Sequence, residues 1–279
     1  MPTTDSTNGA PEQGVYFGIP ADVYHAWPYV SASKLKRLAT SAAKAYHHEK
    51  HPDEGDTAAM ALGRAVHVAV LEPEAFHRMY VIAPQGDKRK KDVKAAWEAA
   101  GREAAQKGQS LLPHADYDLC VKLRGRVEQD ELAGPILKGK GRNEVSVVWE
   151  DDATGLMCKA RMDRLCDWMG FTCHIDLKTT KDSSPDGYPW ECKKYKYHWS
   201  AAFYLKGCDV IVPARRRFLH IAVEKVPPYD LGVYEFTAGD HRLSLDEGWS
   251  ACRVALTNWK ECMDSGNWPS HGGPHPLEL

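Results

Sequence analysis

The periodicity of the chain changes at Asn143, and that change constrains the fold more than any other feature of the sequence. Downstream of it, Glu144–Glu150 (EVSVVWE) is rich in β-branched residues, Asp151–Gly155 reads as a turn, and Leu156–Leu165 reads as the hairpin partner. Phe171–Lys178 predicts a third strand, and Arg215–Val223 and Gly232–Thr237 predict two more. Trp190–Lys206 has helical spacing with an aromatic face, and Asp240–Met263 is a long amphipathic helix. Upstream the spacing is helical instead. Ser31–Lys50 predicts a helix capped by Ser31 or Ser33, with Leu35, Leu38, Ala42 and Ala45 on one face. Thr57–Met79 predicts a second, kinked or ended at Pro73, and two more fall near 92–107 and 115–132. The expected fold is therefore an α/β core, a central mixed sheet flanked by helices, with a mostly helical N-terminal half wrapped on it.

Residues 1–13 are polar and aperiodic and read as a flexible tail, and 266–279 as a Pro/Gly-rich C-terminal tail. Between them 14–265 reads as a single domain, helical over 14–140 and carrying the α/β core over 141–265. With 36 basic and 38 acidic residues the net charge is −2, which excludes a strongly basic nucleic-acid coat but not a local basic stripe. No apolar run approaches the roughly 20 residues of a membrane span, and the N-terminus lacks the basic and apolar regions of a secretory signal. The expectation is a cytoplasmic protein with reduced thiols and no membrane partner.

The chemistry concentrates in Arg161-Met162-Asp163 and in Ile175-Asp176-Leu177-Lys178-Thr179-Thr180. Residues two apart on a strand share a face, so Asp176 and Lys178 project together while Ile175 and Leu177 point into the core. Pairing of adjacent strands would bring Asp163 beside them. In isolation Asp-x-Lys is a common solvated pair. Two carboxylates converging beside a buried flank, however, repel unless a hard cation such as Mg²⁺ lies between them. Such a cation acidifies water and stabilises charge on a phosphoryl oxygen, and Lys178 could orient or deprotonate that water or neutralise the charge.

Together these residues resemble the PD-(D/E)xK nuclease core of the RecE type, exonuclease VIII-like proteins often found in phages and prophages. Gly155 to Asp163 and Ile175 to Thr180 carry the resemblance, joined by Gly63 to Pro73 (GRAVHVAVLEP), Glu144 to Trp149, Tyr197 to Tyr204 (YHWSAAFY), and Val23-Tyr24-His25 with Ser31 to Leu38. The resemblance implies a Mg²⁺-dependent exodeoxyribonuclease, with Mn²⁺ substituting, acting on ends of double-stranded DNA. The direction would be 5′ to 3′, giving 3′ single strands for recombination. It also implies a single-strand annealing partner and a homo-oligomeric ring. Carried over, His67, Asp163, Asp176 and the Leu177 carbonyl would hold the metal, and Lys178 would be the catalytic lysine. Tyr197, His198, Ser200 and Tyr204 would line the DNA side, with Lys193, Lys194 and Lys196 as a cation–aromatic footprint. Glu72 and Glu144 are further candidates.

Two positions depart from the family pattern. Met162 stands for the motif's proline, and Ser200 for a helix glutamine. Serine is too short for the glutamine's reach towards nucleophile or phosphate, so His198 or water would have to fill in. Otherwise Ser200→Gln would raise turnover. Three other readings compete. One is a zinc or Cas4-like iron–sulfur nuclease using Cys158, Cys166, Cys173 and His174, whose spacing fits no structural zinc pattern. The others are a structure-selective nuclease and a cleavage-deficient DNA-binding recombination scaffold.

Overall fold

A computed structural model of the chain describes residues 10–51, 57–87, 89–212 and 214–271. The outer parts of both expected tails, and Lys88 of the basic loop, lie outside them. The front half runs β1 (Gly14–Tyr16), α1 (Ala21–Ala26), α2 (Ala32–Leu38), α3 (Ala42–Lys50), α4 (Ala58–Leu71), α5 (Pro73–Met79), β2 (Tyr80–Ile82), α6 (Lys91–Gln106), β3 (Ser110–Leu112), α7 (His114–Gln129) and α8 (Ala133–Lys138). The back half runs β4 (Gly141–Glu150), β5 (Met157–Trp168), β6 (Phe171–Thr180), α9 (Tyr188–Lys194), α10 (Tyr197–Ile211), β7 (Arg216–Glu224), β8 (Leu231–Phe236) and α11 (Leu245–Ser265).

Three of the expected helices are broken, each by a local cause. Ser41 interrupts Ser31–Lys50 because its hydroxyl accepts the Lys44 N–H at 3.3 Å and starts α3 afresh. Pro73 opens α5 at its first turn, so Thr57–Met79 divides at Glu72. Lys196 adopts φ 51° and separates α9 from α10. The short elements α1, α8 and β1 to β3 have too few residues to display a period.

The strands form a six-stranded mixed sheet in the order β1-β4-β5-β6-β7-β8, parallel only between β6 and β7. One face packs Val145, Val147, Trp149, Cys158 and Ala160 against α2, α3, α10 and α11 through Leu35, Leu38, Phe203, Leu256 and Trp259. On the other, Ile175, Leu177, Leu219 and Ile221 meet Val66, Ala69, Leu123 and Ile136 of α4, α7 and α8. Each such aliphatic side chain contributes about 1.5–3 kcal/mol by burial, which fixes the face that the alternate residues of β6 must present.

That alternation inverts at one place. Met162 packs in the first layer, yet Leu165 also packs there and Cys166 belongs to the second. The inversion falls at Asp163, across from Glu144, which is held in the left-handed region at φ 52°. The sheet is therefore bent at the residue expected to carry chemistry, as strained backbone at functional sites often is.

Parts of the expected tails are tied down. The Tyr29 hydroxyl donates to the Pro11 carbonyl at 2.6 Å, and the Glu150 N–H donates to the Gln13 side chain at 3.2 Å. At the other end Trp268 meets Trp259 edge-on at 5.2 Å, and the Ala43 N–H donates to the Pro269 carbonyl. Among the described residues no helix is long and apolar enough to cross a membrane.

The seating of α10 on α11 depends on Gly248, where an added Cβ would lie 2.4 Å from the His198 carbonyl oxygen and must push the helices apart. Gly248→Ala should lower stability by about 1–3 kcal/mol, read as a fall in the thermal unfolding midpoint. An unchanged midpoint would mean that the two helices do not meet there.

Candidate active site

Strands β5 and β6 pair from Trp168↔Phe171 up to Arg164↔Ile175 and then part. Continuing that register would set Asp163 opposite Asp176. Instead the Leu177 N–H, which has lost its ladder partner, donates to Asp163 Oδ2 at 2.9 Å. The carboxylate thus replaces a backbone acceptor and is fixed at the mouth of the opening. Through the same opening α4 delivers His67, whose Nδ1 is 3.3 Å from Asp163 Oδ2. The β6 alternation supplies Asp176 and Lys178, which form an ion pair. Behind Asp176, the β7 residue in register with it is His220, with Nε2 3.0 Å from Asp176 Oδ2 and Nδ1 2.7 Å from the buried Tyr188 hydroxyl. The side chains of His67, Asp163, Asp176 and Lys178 keep only 26%, 17%, 15% and 23% exposure, so the cluster is a cleft floor rather than a surface.

Burial together with the Asp176 anion holds the Asp163 carboxyl well above the usual carboxylate range. Burial would do the same to Asp176, but the Lys178 ammonium and His220 outweigh it and hold Asp176 well below. For unit charges about 4 Å apart at an effective dielectric near 20, repulsion is about 4 kcal/mol. One hydrogen bond from Leu177 returns only about 1–3 kcal/mol. Repulsion exceeds what that bond returns, and even with the Lys178 charge opposing it the Asp163 carboxyl is shifted upward. Burial would lower the Lys178 ammonium, yet Asp176 and Asp163 reverse that and raise it above its ordinary value. With its two carboxylate neighbours Lys178 is held as a cation, a state suited to charge neutralisation. Its Nζ also lies 5.2 Å from the Tyr197 ring centroid. His67 is lowered to about 4, first by burial and then by Lys178, so its imidazole is neutral.

These donors suit a divalent metal. Two carboxylates, a neutral imidazole and the adjacent Leu177 carbonyl make a mostly oxygen set of the kind Mg²⁺ and Mn²⁺ accept. The set is assembled but not closed. Among the described residues no three His, Cys, Asp or Glu side chains surround one point, since Asp176 is turned to Lys178 and His220.

The other candidates are placed as follows. Tyr204 is half-buried on α10 within the electrostatic reach of both aspartates, and Tyr197 carries Lys178. His198 is buried where α10 meets α11, within the electrostatic reach of Glu247, Lys36 and Lys196. Ser200 accepts a hydrogen bond at 2.6 Å from Lys36, a residue not expected in the site. Glu72 sits at the α4–α5 junction, while Glu144 is ion-paired to Arg161 beside Asp163. Lys193 and Lys194 are exposed, over the rings of Trp190 and Tyr195, and Lys196 lies over Trp199. Cys166 and Cys173 are register partners on one side of the sheet, and Cys158 lies on the other, so these thiols do not converge on one ion. The reading missed His220 and Lys36. His220 leaves a trace, a lone polar residue in the apolar run Phe218–Val223, whereas Lys36 on an amphipathic helix leaves none.

A family model described as a PDDEXK-like domain of unknown function (DUF3799) matches residues 31–275. The chain belongs to that family. Among solved structures, an exonuclease candidate from Eubacterium rectale superposes with a TM-score of 0.60 at 14% identity, covering 91% of this chain and 90% of its own. At that identity the likeness is one of fold, and it agrees with the PDDEXK-like sheet described above. The structure of SSO0001 overlaps with a TM-score of only 0.32 at 15% identity, covering 79% of this chain and 100% of its own. No curated protein matches the chain. Membership accounts for the mixed sheet, and the core is a PDDEXK-like one.

The two aspartates should respond oppositely to neutralisation. Asp163 titrates higher in the folded chain than unfolded, so its protonated form stabilises the fold at low pH. That contribution fades as pH rises from about 3.9 through the raised value. Asp163→Asn should therefore keep or raise the metal-free unfolding midpoint at pH 7.5 and flatten its decline with pH. Asp176→Asn should cost about 3 kcal/mol by leaving the Lys178 ammonium without its partner. Equal midpoints for the two variants would refute the division of charge between them.

Proposed function

We propose that this PDDEXK-like chain is a RecE-type, Mg²⁺-dependent exodeoxyribonuclease that shortens linear double-stranded DNA from its ends, 5′ to 3′, leaving 3′ single strands for recombination. The observation that carries the reading is the meeting of Asp163, Asp176 and Lys178 with a neutral His67 at the opening between β5 and β6. His67, Asp163, Asp176 and the Leu177 carbonyl would hold the cation. When bound, it polarises the phosphate and makes attacking water more acidic. The rest falls to the chain. Lys178, kept protonated, meets negative charge as it grows on the phosphate. Tyr197 and Asp176 fix its position, and the Tyr188–His220 pair braces Asp176 from behind. Lys193, Lys194 and Lys196 with their aromatic partners offer phosphates cations and bases flat faces along the approach. A ring of identical subunits in the cytoplasm, passing its product to an annealing protein, would suit an enzyme that must keep hold of one strand.

End-labelled linear duplexes and covalently closed circles, compared in Mg²⁺, test the proposal. Label should leave the 5′ end early while circles stay intact. Lys178→Ala should lower the rate by at least about 10²-fold, and Ca²⁺ should support binding with almost no cleavage. Nicking of circles at a comparable rate would identify a structure-selective nuclease. Binding without cleavage by the unaltered chain would identify a scaffold.

A further inference from the structure

Helix α2 sends one cation into the cleft that the scheme above does not use. α2 is anchored by Leu35 and Leu38 in the layer it shares with α10 and α11, and Ser31 caps its start. From the next position on the helix, Lys36 reaches across to α10 and donates to Ser200 Oγ at 2.6 Å. Its Nζ stands 5.7 Å from the centroid of the Tyr197 ring, the same ring that carries Lys178 at 5.2 Å. Two ammonium groups therefore share one aromatic ring beside the aspartates.

Only one of the two has an ion-pair partner, and Lys36 feels the Asp176 anion only at longer range. Lys178 has Asp176, but among the described residues no carboxylate lies within ion-pair distance of Lys36. An ammonium carries three donors, and a neutral hydroxyl takes one of them. Burial and the neighbouring Lys178 charge lower Lys36 to about 8, outweighing the more distant Asp176 anion. A shielded cation with unspent donors and a like charge beside it calls for an anion from outside the chain. The anion this cleft is built to take is a phosphodiester.

We infer that Lys36 is a phosphate-binding residue of the active site: its ammonium contacts a non-bridging oxygen of the phosphate being cut, and Ser200 is the positioning residue that seats it. This rests on the nuclease reading above. It also changes the meaning of Ser200. Rather than a shortened glutamine awaiting compensation, the serine is the space in which a lysine from another helix fits, and a glutamine there would displace the ammonium. Ser200→Gln should then lower the rate, the reverse of the expectation from the family pattern.

The test uses the full chain with Lys36→Met, Lys36→Arg, Ser200→Ala and Lys178→Met, each read in three ways. Thermal unfolding comes first. Removing a cation that lacks an ion-pair partner should leave the Lys36→Met midpoint equal or higher, whereas a purely structural lysine would lower it. Affinity for a fluorescent blunt duplex is then measured in Ca²⁺ across a salt series. Lys36→Met should reduce the slope of log K against log salt by about 1, and Lys36→Arg should restore it. Ser200→Ala should leave the slope unchanged. Single-turnover cleavage at saturating duplex in Mg²⁺ should fall on the order of 100-fold in Lys36→Met and less than 10-fold in Ser200→Ala, with partial rescue in Lys36→Arg. A Lys36→Met chain with unaltered salt slope and a rate within about threefold of wild type, while Lys178→Met is inactive, overturns the inference and spares the nuclease reading. The converse is also distinguishable: a wild-type chain that cuts nothing but binds duplex with a Lys36-dependent slope would overturn the nuclease reading and retain the phosphate contact. Should Lys36→Met not fold, Lys36→Gln, of similar length, takes its place in all three readouts, and a failure of both to fold overturns the inference in favour of a structural lysine.

Discussion

The hydrogen bond from the Leu177 N–H to Asp163 is the interaction around which the rest of the site is arranged. It forms because β5 and β6 stop pairing after Arg164↔Ile175, which leaves one backbone donor without its ladder acceptor in a nearly water-free setting. A carboxylate fills that vacancy. With Asp163 held there the sheet can stay open, and α4, which packs on the opposite face from α10, can bring His67 to the same point. Residues from both layers thus meet although a continuous sheet would have kept them apart. The inverted alternation of β5 and the left-handed Glu144 are the local cost of that opening.

The charges follow from this geometry. Asp163 has a backbone donor but no cation of its own, while Asp176 has Lys178 and His220, so the Asp163 carboxyl is shifted up and the Asp176 carboxyl down. Identical residue types are thereby differentiated by what surrounds them. The same asymmetry fixes the lysine. An ammonium paired to a buried carboxylate holds its proton more tightly, which is why Lys178 is raised where burial alone would lower it.

The sequence made much of this legible, for identifiable reasons. Strands β4 to β8 are long enough to show their composition, and Asp176 and Lys178 declare a common face because a strand has a period of two. Asp163 joins them through the hairpin register. Helix breaks were harder to see: Ser41 and Lys196 interrupt continuous helical spacing through a cap and a single positive φ, neither of which disturbs an apolar pattern. Lys36 was invisible. It sits 164 residues from Ser200 and meets it only because α2 lies against α10, a consequence of packing that no local pattern encodes.

That contact changes how the departure at Ser200 should be weighed. Read along the chain alone, a serine in place of a glutamine is a loss, and the natural search is for a neighbour such as His198 that could compensate. The seating of α10 on α11 buries His198 at the point where Gly248 allows the helices to touch. The same seating turns Tyr197 and Ser200 towards α2, where Lys36 occupies the room that a longer side chain would take. A short residue on one helix and a long cation on another are then two halves of one arrangement. A longer side chain at position 200 would meet the Lys36 ammonium, and a shorter one at position 36 would leave the Ser200 hydroxyl without its donor, which is why position 200 has to be understood together with position 36.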